Sequence, residues 1–342
     1  MRNAKFVRNL LLFAILCIGM LASSACASKT VSPPASPVER TLASLEKVDD
    51  HPLYVMHYEG AYTSGDEDVE RDAGTEGNTL PWACSLFAAL GNADAMVYGR
   101  NFDWEHSPAV LLFTTPPDGY ASVSLVDIAY LGFTAAEARD LTKLSADERH
   151  PLLDAPYLPF DGMNEYGLTI GMAAIPDSPM PHDPAKKTIG SLGIIREMLD
   201  HARMVDEAIT VMENYNVDMG GGPAIHYLIA DATGKAVLVE FYKGEMVVIP
   251  NERAWHQATN FLLSAVADSS PEGNCWRYDK ITARLSLVEG RLSTADALAL
   301  LSDVSQSNTQ WSVVYGISTG EISIAMGRNY DTVHTFHLLH TE

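Results

Sequence analysis

Cys84 stands sixteen residues ahead of Arg100 and nineteen ahead of Asp103, and the last two fall within Gly99-Arg100-Asn101-Phe102-Asp103-Trp104. To cleave an amide, a cysteine needs thiolate character, a base, donors for the developing oxyanion and something to fix their geometry. An arginine beside the thiol favours thiolate, and an aspartate can hold an ammonium group in place. If the bond between Ala83 and Cys84 is cut, Cys84 gains a free α-amine beside its own thiol. Such an amine has a solution pKa of about 8, lowered by burial, so it can act as the local base near neutral pH. No separate histidine is then required. Read alone, the hexapeptide is equally well a surface ion pair at a strand end. Its place on the strand partnering that of Cys84 favours the catalytic reading.

The remaining cysteines sharpen the choice. Of four, Cys17 lies in an apolar run from Leu10 to Leu21 and Cys26 in the small-residue stretch that follows it, leaving Cys84 and Cys275 in the body of the chain. Two cysteines are not a disulfide framework. They form one disulfide, or two inert buried thiols, or one of them is kept free because it reacts. The apolar run follows Arg2, Lys5 and Arg8 and precedes the small residues Ala22 to Ala27, the pattern of a bacterial export signal over residues 1–27. It is too short to span a bilayer permanently. Two processing outcomes fit: cleavage after Ala27, or lipid attachment at Cys26, which would anchor the protein to a membrane, although Ser23 stands where such signals usually carry Leu. The expected location is therefore periplasmic, secreted or lipid-anchored at the cell envelope. Residues 28–83, beginning with Pro33, Pro34 and Pro37, read as a tether followed by a pro-segment or small subunit.

The elements that must position these residues follow from periodicity. Leu53 to Tyr62 is aromatic and β-favouring, whereas Ser64 to Asn78 is acidic, Gly-rich and reads as an exposed loop. Ser85 to Leu90 and Met96 to Phe102 flank Gly91-Asn92-Ala93-Asp94, a β-hairpin whose first strand begins at Cys84. Arg100 and Asp103 are three apart, so both face the thiol only if their strand bends or ends there. Further strands are expected at Ala109 to Thr114, Ser122 to Ala129, Leu168 to Ala174, Ile225 to Ala230, Ala236 to Tyr242 and Trp255 to Asn260, with a hairpin from Trp311 to Met326. Helices are expected at Ala135 to Leu144, Ile189 to Glu213, Tyr278 to Glu289 and Thr294 to Ser302. Strands and helices come in blocks, which favours an α+β fold of antiparallel sheets covered by helices.

With these residues in view, the chain resembles the choloylglycine hydrolase, penicillin V acylase and acid ceramidase group of N-terminal-nucleophile hydrolases. The spacing of Cys84, Arg100 and Asp103 carries the first part of the likeness. Phe160-Asp161-Gly162-Met163-Asn164-Glu165-Tyr166-Gly167-Leu168 resembles the second signature of the bile salt hydrolase branch. Gln257-Ala258-Thr259-Asn260-Phe261 is similar to the strand bearing the family's later asparagine, Trp276-Arg277-Tyr278 to its distal arginine segment, and Trp311 to Tyr315 to its closing hairpin. The resemblance covers residues 84–342 in the family's order, and the aromatic strand at Tyr54 to Tyr62 is similar to the segment before the nucleophile in ceramidase-like precursors.

The resemblance implies a four-layer αββα sandwich with two antiparallel sheets between helices. It implies that Cys84 is the nucleophile and, once freed, its own base. Arg100 and Asp103 would set its ionisation and geometry, Asn164 and Asn260 would stabilise the oxyanion or position the α-amine, and Arg277 would support the site electrostatically. A tyrosine replaces Asn164 in the penicillin acylase branch. In bile salt hydrolases only the initiator methionine precedes the nucleophile, so the long segment here implies self-cleavage before Cys84, as in the ceramidase-like branch. The family's substrates, bile salts, penicillin V, N-acyl homoserine lactones, N-acylethanolamines and ceramides, each join an apolar acyl group to an amine through a linear amide. An acyltransferase would use the same acyl-cysteine, and a non-catalytic surface protein would need none of these residues together.

Other classes are excluded or set aside. A net charge of -21 makes nucleic acid and anionic lipid surfaces poor partners, and a small N-acyl amide is the expected one. No cofactor motif is present: Gly220-Gly221-Gly222 lacks the Lys and Ser or Thr of a phosphate loop. His334, His337 and His340 alternate faces of any strand, which argues against a metal site. The methionines from Met163 to Met219 suit core packing better than an acyl pocket.

Overall fold

The computed structural model describes residues 35–62, 83–104 and 108–339, and the folded body begins at Ser36. The expected export signal, Cys26, most of the tether, the acidic stretch from Ser64 to Asn78 and His340 lie outside the described residues.

A short helix α1 (Pro37–Ala43) is closed at its start by Ser36 and Glu39 in a reciprocal capping box. It leads into β1 (Glu46–Asp49) and β2 (Leu53–Tyr58). The hairpin β3 (Ala83–Ala89) and β4 (Val97–Asp103) follows, then β5 (Ala109–Thr114), β6 (Ser122–Asp127), β7 (Asp161–Asn164) and β8 (Thr169–Ala174). After β9 (Lys187–Gly190) come α2 (Gly193–His201) and α3 (Val205–Glu213), then β10 (Tyr215–Asp218), β11 (Ile225–Ala230), β12 (Ala236–Tyr242), β13 (Glu245–Pro250) and β14 (Trp255–Ala258). The chain closes with α4 (Trp276–Leu287), α5 (Thr294–Asp303), β15 (Thr309–Gly316), β16 (Glu321–Met326) and β17 (His334–His337).

Nine strands form one sheet in the order β1-β2-β5-β6-β7-β8-β11-β12-β13, and six form another in the order β14-β3-β4-β15-β16-β17. Alternation along the strands sends one set of side chains between the sheets and the other outward. Cys84, Leu86 and Ala88 of β3 share the inter-sheet core with Leu228 of β11 and Leu238 of β12. Phe87 and Ala89 of the same strand pack outward against Ile281 and Leu285 of α4 and Leu301 of α5. On the far side, Tyr227 and Ile229 of β11 meet Ile195, Met198 and Leu199 of α2. The result is helices, sheet, sheet, helices, the expected αββα order. Within these two sheets one pairing departs from the antiparallel rule, since β2 runs parallel to β5, and β9 and β10 form a separate parallel pair.

Two helical expectations need correction. Ala135 to Leu144 forms only two single turns of 3-10 helix, Glu137–Arg139 and Leu141–Lys143. The Tyr54 hydroxyl, from β2, accepts from Leu141 N at 3.0 Å and donates to Ala138 O at 3.1 Å, taking backbone groups that an α-helix would pair internally. The run from Ile189 to Glu213 is two helices, because Ala202 and Met204 are extended. Polar side chains from elsewhere hold this break: Asn164 Nδ2 donates to the carbonyls of Leu199 and Ala202, and Asp231 Oδ2 accepts from Val205 N. Met163, Met198 and Met212 are buried in the core.

Candidate active site

Cys84 is the second residue of β3 and faces the inter-sheet core, buried to 6% exposure. In the antiparallel register it pairs with Phe102, and Leu86 pairs with Arg100. Arg100 and Phe102 therefore share the face of Cys84, with the guanidinium 5.0 Å over the Phe102 ring. Asp103 falls on the last residue of β4, where the facing strand shifts register between Thr309 and Trp311. The strand ends where Asp103 must leave the alternation, as the three-residue spacing requires.

Arg100, with no exposure, forms an ion pair with Asp161 and donates to Phe160 O at 2.9 Å. The Tyr315 hydroxyl donates to the other oxygen of Asp161. Arg100 Nε and Nη2 are buried without a hydrogen-bond partner among the described residues. Asp103 accepts from Gln306 Nε2 at 3.1 Å and from the Thr309 hydroxyl. Burial nevertheless holds its carboxyl above the usual range. Burial likewise pushes the Cys84 thiol up, against the opposing pull of the Arg100 guanidinium. Burial thus disfavours the thiolate, and the guanidinium favours it.

Two groups reach the backbone of Cys84 from the other end of the chain. Asn260 lies two residues beyond β14, and its Oδ1 accepts from Cys84 N at 2.7 Å while its Nδ2 donates to Ala174 O at 2.7 Å. Arg277, in the first turn of α4, donates to Cys84 O, to Ser85 Oγ at 2.9 Å and to Asn260 Oδ1 at 2.9 Å. It also lies 4.0 Å from Asp103. Gln257 ties β14 to α4 through Tyr278 O and the Thr282 hydroxyl, and Phe261 packs edge-on against Tyr278. One guanidinium fork thereby joins the carbonyl of Cys84, the amide of Asn260 and the carboxylate of Asp103, a span that a point charge such as lysine could not bridge.

The structure brings Cys84, Arg100, Asp103, Asn260 and Arg277 together and leaves Asn164 out. Both amide hydrogens of Asn164 go to Leu199 O and Ala202 O, at 2.9 and 2.7 Å, and its oxygen accepts from Tyr166 N and Leu168 N. Every hydrogen-bonding valence shown for Asn164 is spent on its own turn and on the end of α2, and none reaches Cys84, whereas the resemblance implies a place at the oxyanion or the amine. The sequence signal for this was its place at the head of a turn closed by Gly167, which has φ 79°. Asp161, three residues earlier in the same segment, is the residue that reaches the site, through Arg100. Thr309 and Gln306 carry no sequence signal that links them to Asp103. Cys275 and Cys84 are both free thiols, not a disulfide. Among the described residues no cluster suited to a metal ion occurs, and His334 instead lies 2.6 Å from Asp49.

The sequence pattern of the linear amide C-N hydrolases, choloylglycine hydrolase family, matches residues 84–260. Among solved structures, a variant of the conjugated bile acid hydrolase from Clostridium perfringens is similar at 15% identity and TM-score 0.54, covering 75% of this chain and 92% of that one. A second variant of that hydrolase gives 13% identity and TM-score 0.52, covering 74% and 92%. The penicillin V acylase from Agrobacterium tumefaciens gives 14% identity and TM-score 0.46, covering 74% and 90%. No curated protein matches the chain by sequence.

Proposed function

Since the chain belongs to the choloylglycine hydrolase family of linear amide C-N hydrolases, we propose that it hydrolyses an N-acyl amide through an acyl-enzyme on Cys84, freed by cleavage of the Ala83–Cys84 bond. The observation that carries this reading is the pair of contacts on the Cys84 backbone. Asn260 Oδ1 holds its nitrogen at 2.7 Å and the Arg277 fork holds its carbonyl. An ordinary strand residue gains nothing from such an assembly, whereas a residue whose nitrogen must act as a base needs that nitrogen aimed.

In the proposed sequence the α-amine of Cys84 takes the thiol proton and Sγ attacks the substrate carbonyl. The tetrahedral intermediate collapses as the departing amine receives that proton, leaving a thioester. Water then attacks the thioester carbonyl while the α-amine removes its proton, and the carboxylic acid leaves as the proton returns to sulfur. Arg100 favours the thiolate, its charge balanced behind by Asp161. Asp103 and Arg277 fix the ammonium and the Asn260 amide. Asn260 accepts from Cys84 N through its oxygen, which suits amine positioning, and with one Nδ2 hydrogen on Ala174 O its second is left to face the oxyanion.

The upstream segment is proposed to remain as a small subunit after the cut. Leu53, Tyr54 and Met56 are wholly buried in β2, each worth roughly 1.5–3 kcal/mol. The ladder to β5 adds six backbone positions. Export, with or without a lipid at Cys26, is proposed from the leader alone, and fractionation of cells making a Cys26→Ala variant tests the anchor.

The proposed substrate class follows the family: an apolar acyl group on a linear amide, as in the conjugated bile acids for which the Clostridium perfringens hydrolase is named. The test incubates purified protein with a panel of N-acyl amides, with and without acceptor amines. Release of free acid supports the hydrolase. Transfer to the acceptor in preference to water would make it an acyltransferase, and no turnover with any N-acyl amide would overturn the reading.

A further inference from the structure

We propose that Glu240 is a positioning residue for this site, holding the irregular segment that carries Asn260; the inference rests on the function proposed for Cys84. Among the described strands β14 lies at the sheet's edge beside β3, and its ladder ends at Ala258. The backbone from Thr259 onward therefore has no sheet to fix it, yet Asn260 must keep its oxygen 2.7 Å from Cys84 N.

Glu240 supplies the missing hold from the opposite sheet. It sits in β12 with no exposure, and its Oε1 accepts from Leu263 N and its Oε2 from Ser264 N, both at 2.8 Å. One carboxylate thus grips two consecutive backbone N–H groups just past Asn260. A buried carboxylate is costly unless it is paired. Here the cross-strand neighbour His226, also wholly buried, places Nδ1 3.2 Å from Oε1. Burial pushes the Glu240 carboxyl up, but the bonds from His226 and Ser264 outweigh it and leave the group below the usual range. Both oxygens therefore stay available as acceptors at neutral pH. Leu262, packed with Ile175 and Ala224, completes the fastening.

The segment is held at one end by the bonds of Asn260 and at the other by Glu240. Loosening the second end lets the first drift, and a misplacement of about 1 Å can cost on the order of a hundredfold in rate. Glu240→Gln keeps one acceptor oxygen but turns an amide donor toward a backbone N–H, so half the grip is lost. Glu240→Asp keeps the charge and withdraws it by one methylene.

The experiment compares both variants with the parent in the full chain. Cys84 sites are counted by alkylation, so that kcat is expressed per reactive thiol, and backbone hydrogen exchange is read across residues 259–264. Glu240→Gln is expected to lower kcat about tenfold or more, with KM changed by less than about threefold, and to speed exchange in that segment; Glu240→Asp should fall between. A lower melting temperature and fewer reactive thiols, with kcat per thiol unchanged, would show a merely structural glutamate and overturn the proposal. Unchanged exchange would overturn it as well. Exchange needs no turnover, so an inert parent counts against the proposed function while the grip itself is still judged.

Discussion

Replacing Asn260 by Ala removes three hydrogen bonds at once, from Cys84 N, to Ala174 O and from Arg277 Nη2. If the partners stayed dry, each loss would cost roughly 1–3 kcal/mol. Asn260 is only partly buried, so water can reach the vacated space and the net loss should be about 1–2 kcal/mol. For a body of this size that lowers the melting temperature by roughly 2–3 °C. The catalytic loss is larger. An amine no longer aimed at the thiol proton, or a missing polar partner at the reacting carbonyl, costs on the order of 3 kcal/mol, about a hundredfold in turnover. The assay measures turnover, Michaelis constant and melting temperature per mole of chain that begins at Cys84, counted by N-terminal sequencing, so that slow processing is not read as slow chemistry. Near-normal turnover with a fall in melting temperature well beyond about 3 °C would refute the reasoning and return Asn260 to the core.

Cys84→Ala should fold and remain joined to Ala83, which intact mass will show; a cut chain would require another nucleophile. Cys84→Ser should keep at most a trace of activity, and alkylation of the native thiol should abolish turnover in proportion to the modified fraction. Asp103→Asn should separate stability from activity. Because burial raises its folded pKa, the native state holds the Asp103 proton more tightly than the unfolded chain does. The stability that Asp103 contributes is thus present below its ordinary 3.8 and lost as pH rises through the folded value. The variant should match or exceed the parent in melting temperature near neutrality, lose that advantage on acidification, and turn over on the order of a hundredfold more slowly. An advantage that grows as pH falls would contradict the burial argument. After processing, residues upstream of the cut should co-elute with the remainder in size exclusion, and their separation without denaturant would show that β2 is dispensable.

The strands that were legible in the sequence are those whose pattern is local. Ala109–Thr114, Ile225–Ala230 and Ala236–Tyr242 appear with the expected limits, because a largely buried run bounded by turn residues has few alternatives. The two misread helices fail for a common reason: Tyr54, Asn164 and Asp231 reach in from distant elements to take backbone groups, and local periodicity carries no trace of them. The site divides the same way. Cys84, Arg100 and Asp103 lie on one hairpin whose register follows from its turn, so their meeting could be read from spacing. Asn260 and Arg277 needed the family resemblance, since they approach from the far edge strand and from a helix on the outer layer. Asp161 and Glu240 act at one remove, through Arg100 and through the backbone after Asn260, and no motif announced them. Asn164 shows the converse: an asparagine in the expected motif, spent on its own turn.

The most direct test of Cys84 as both nucleophile and base is mass spectrometry of protein quenched in acid during turnover of an N-acyl amide. The expected result is a peptide that begins at Cys84 and carries a single acyl group on that residue. An acyl group on any other residue, or turnover by a chain in which Ala83 and Cys84 are still joined, would contradict it.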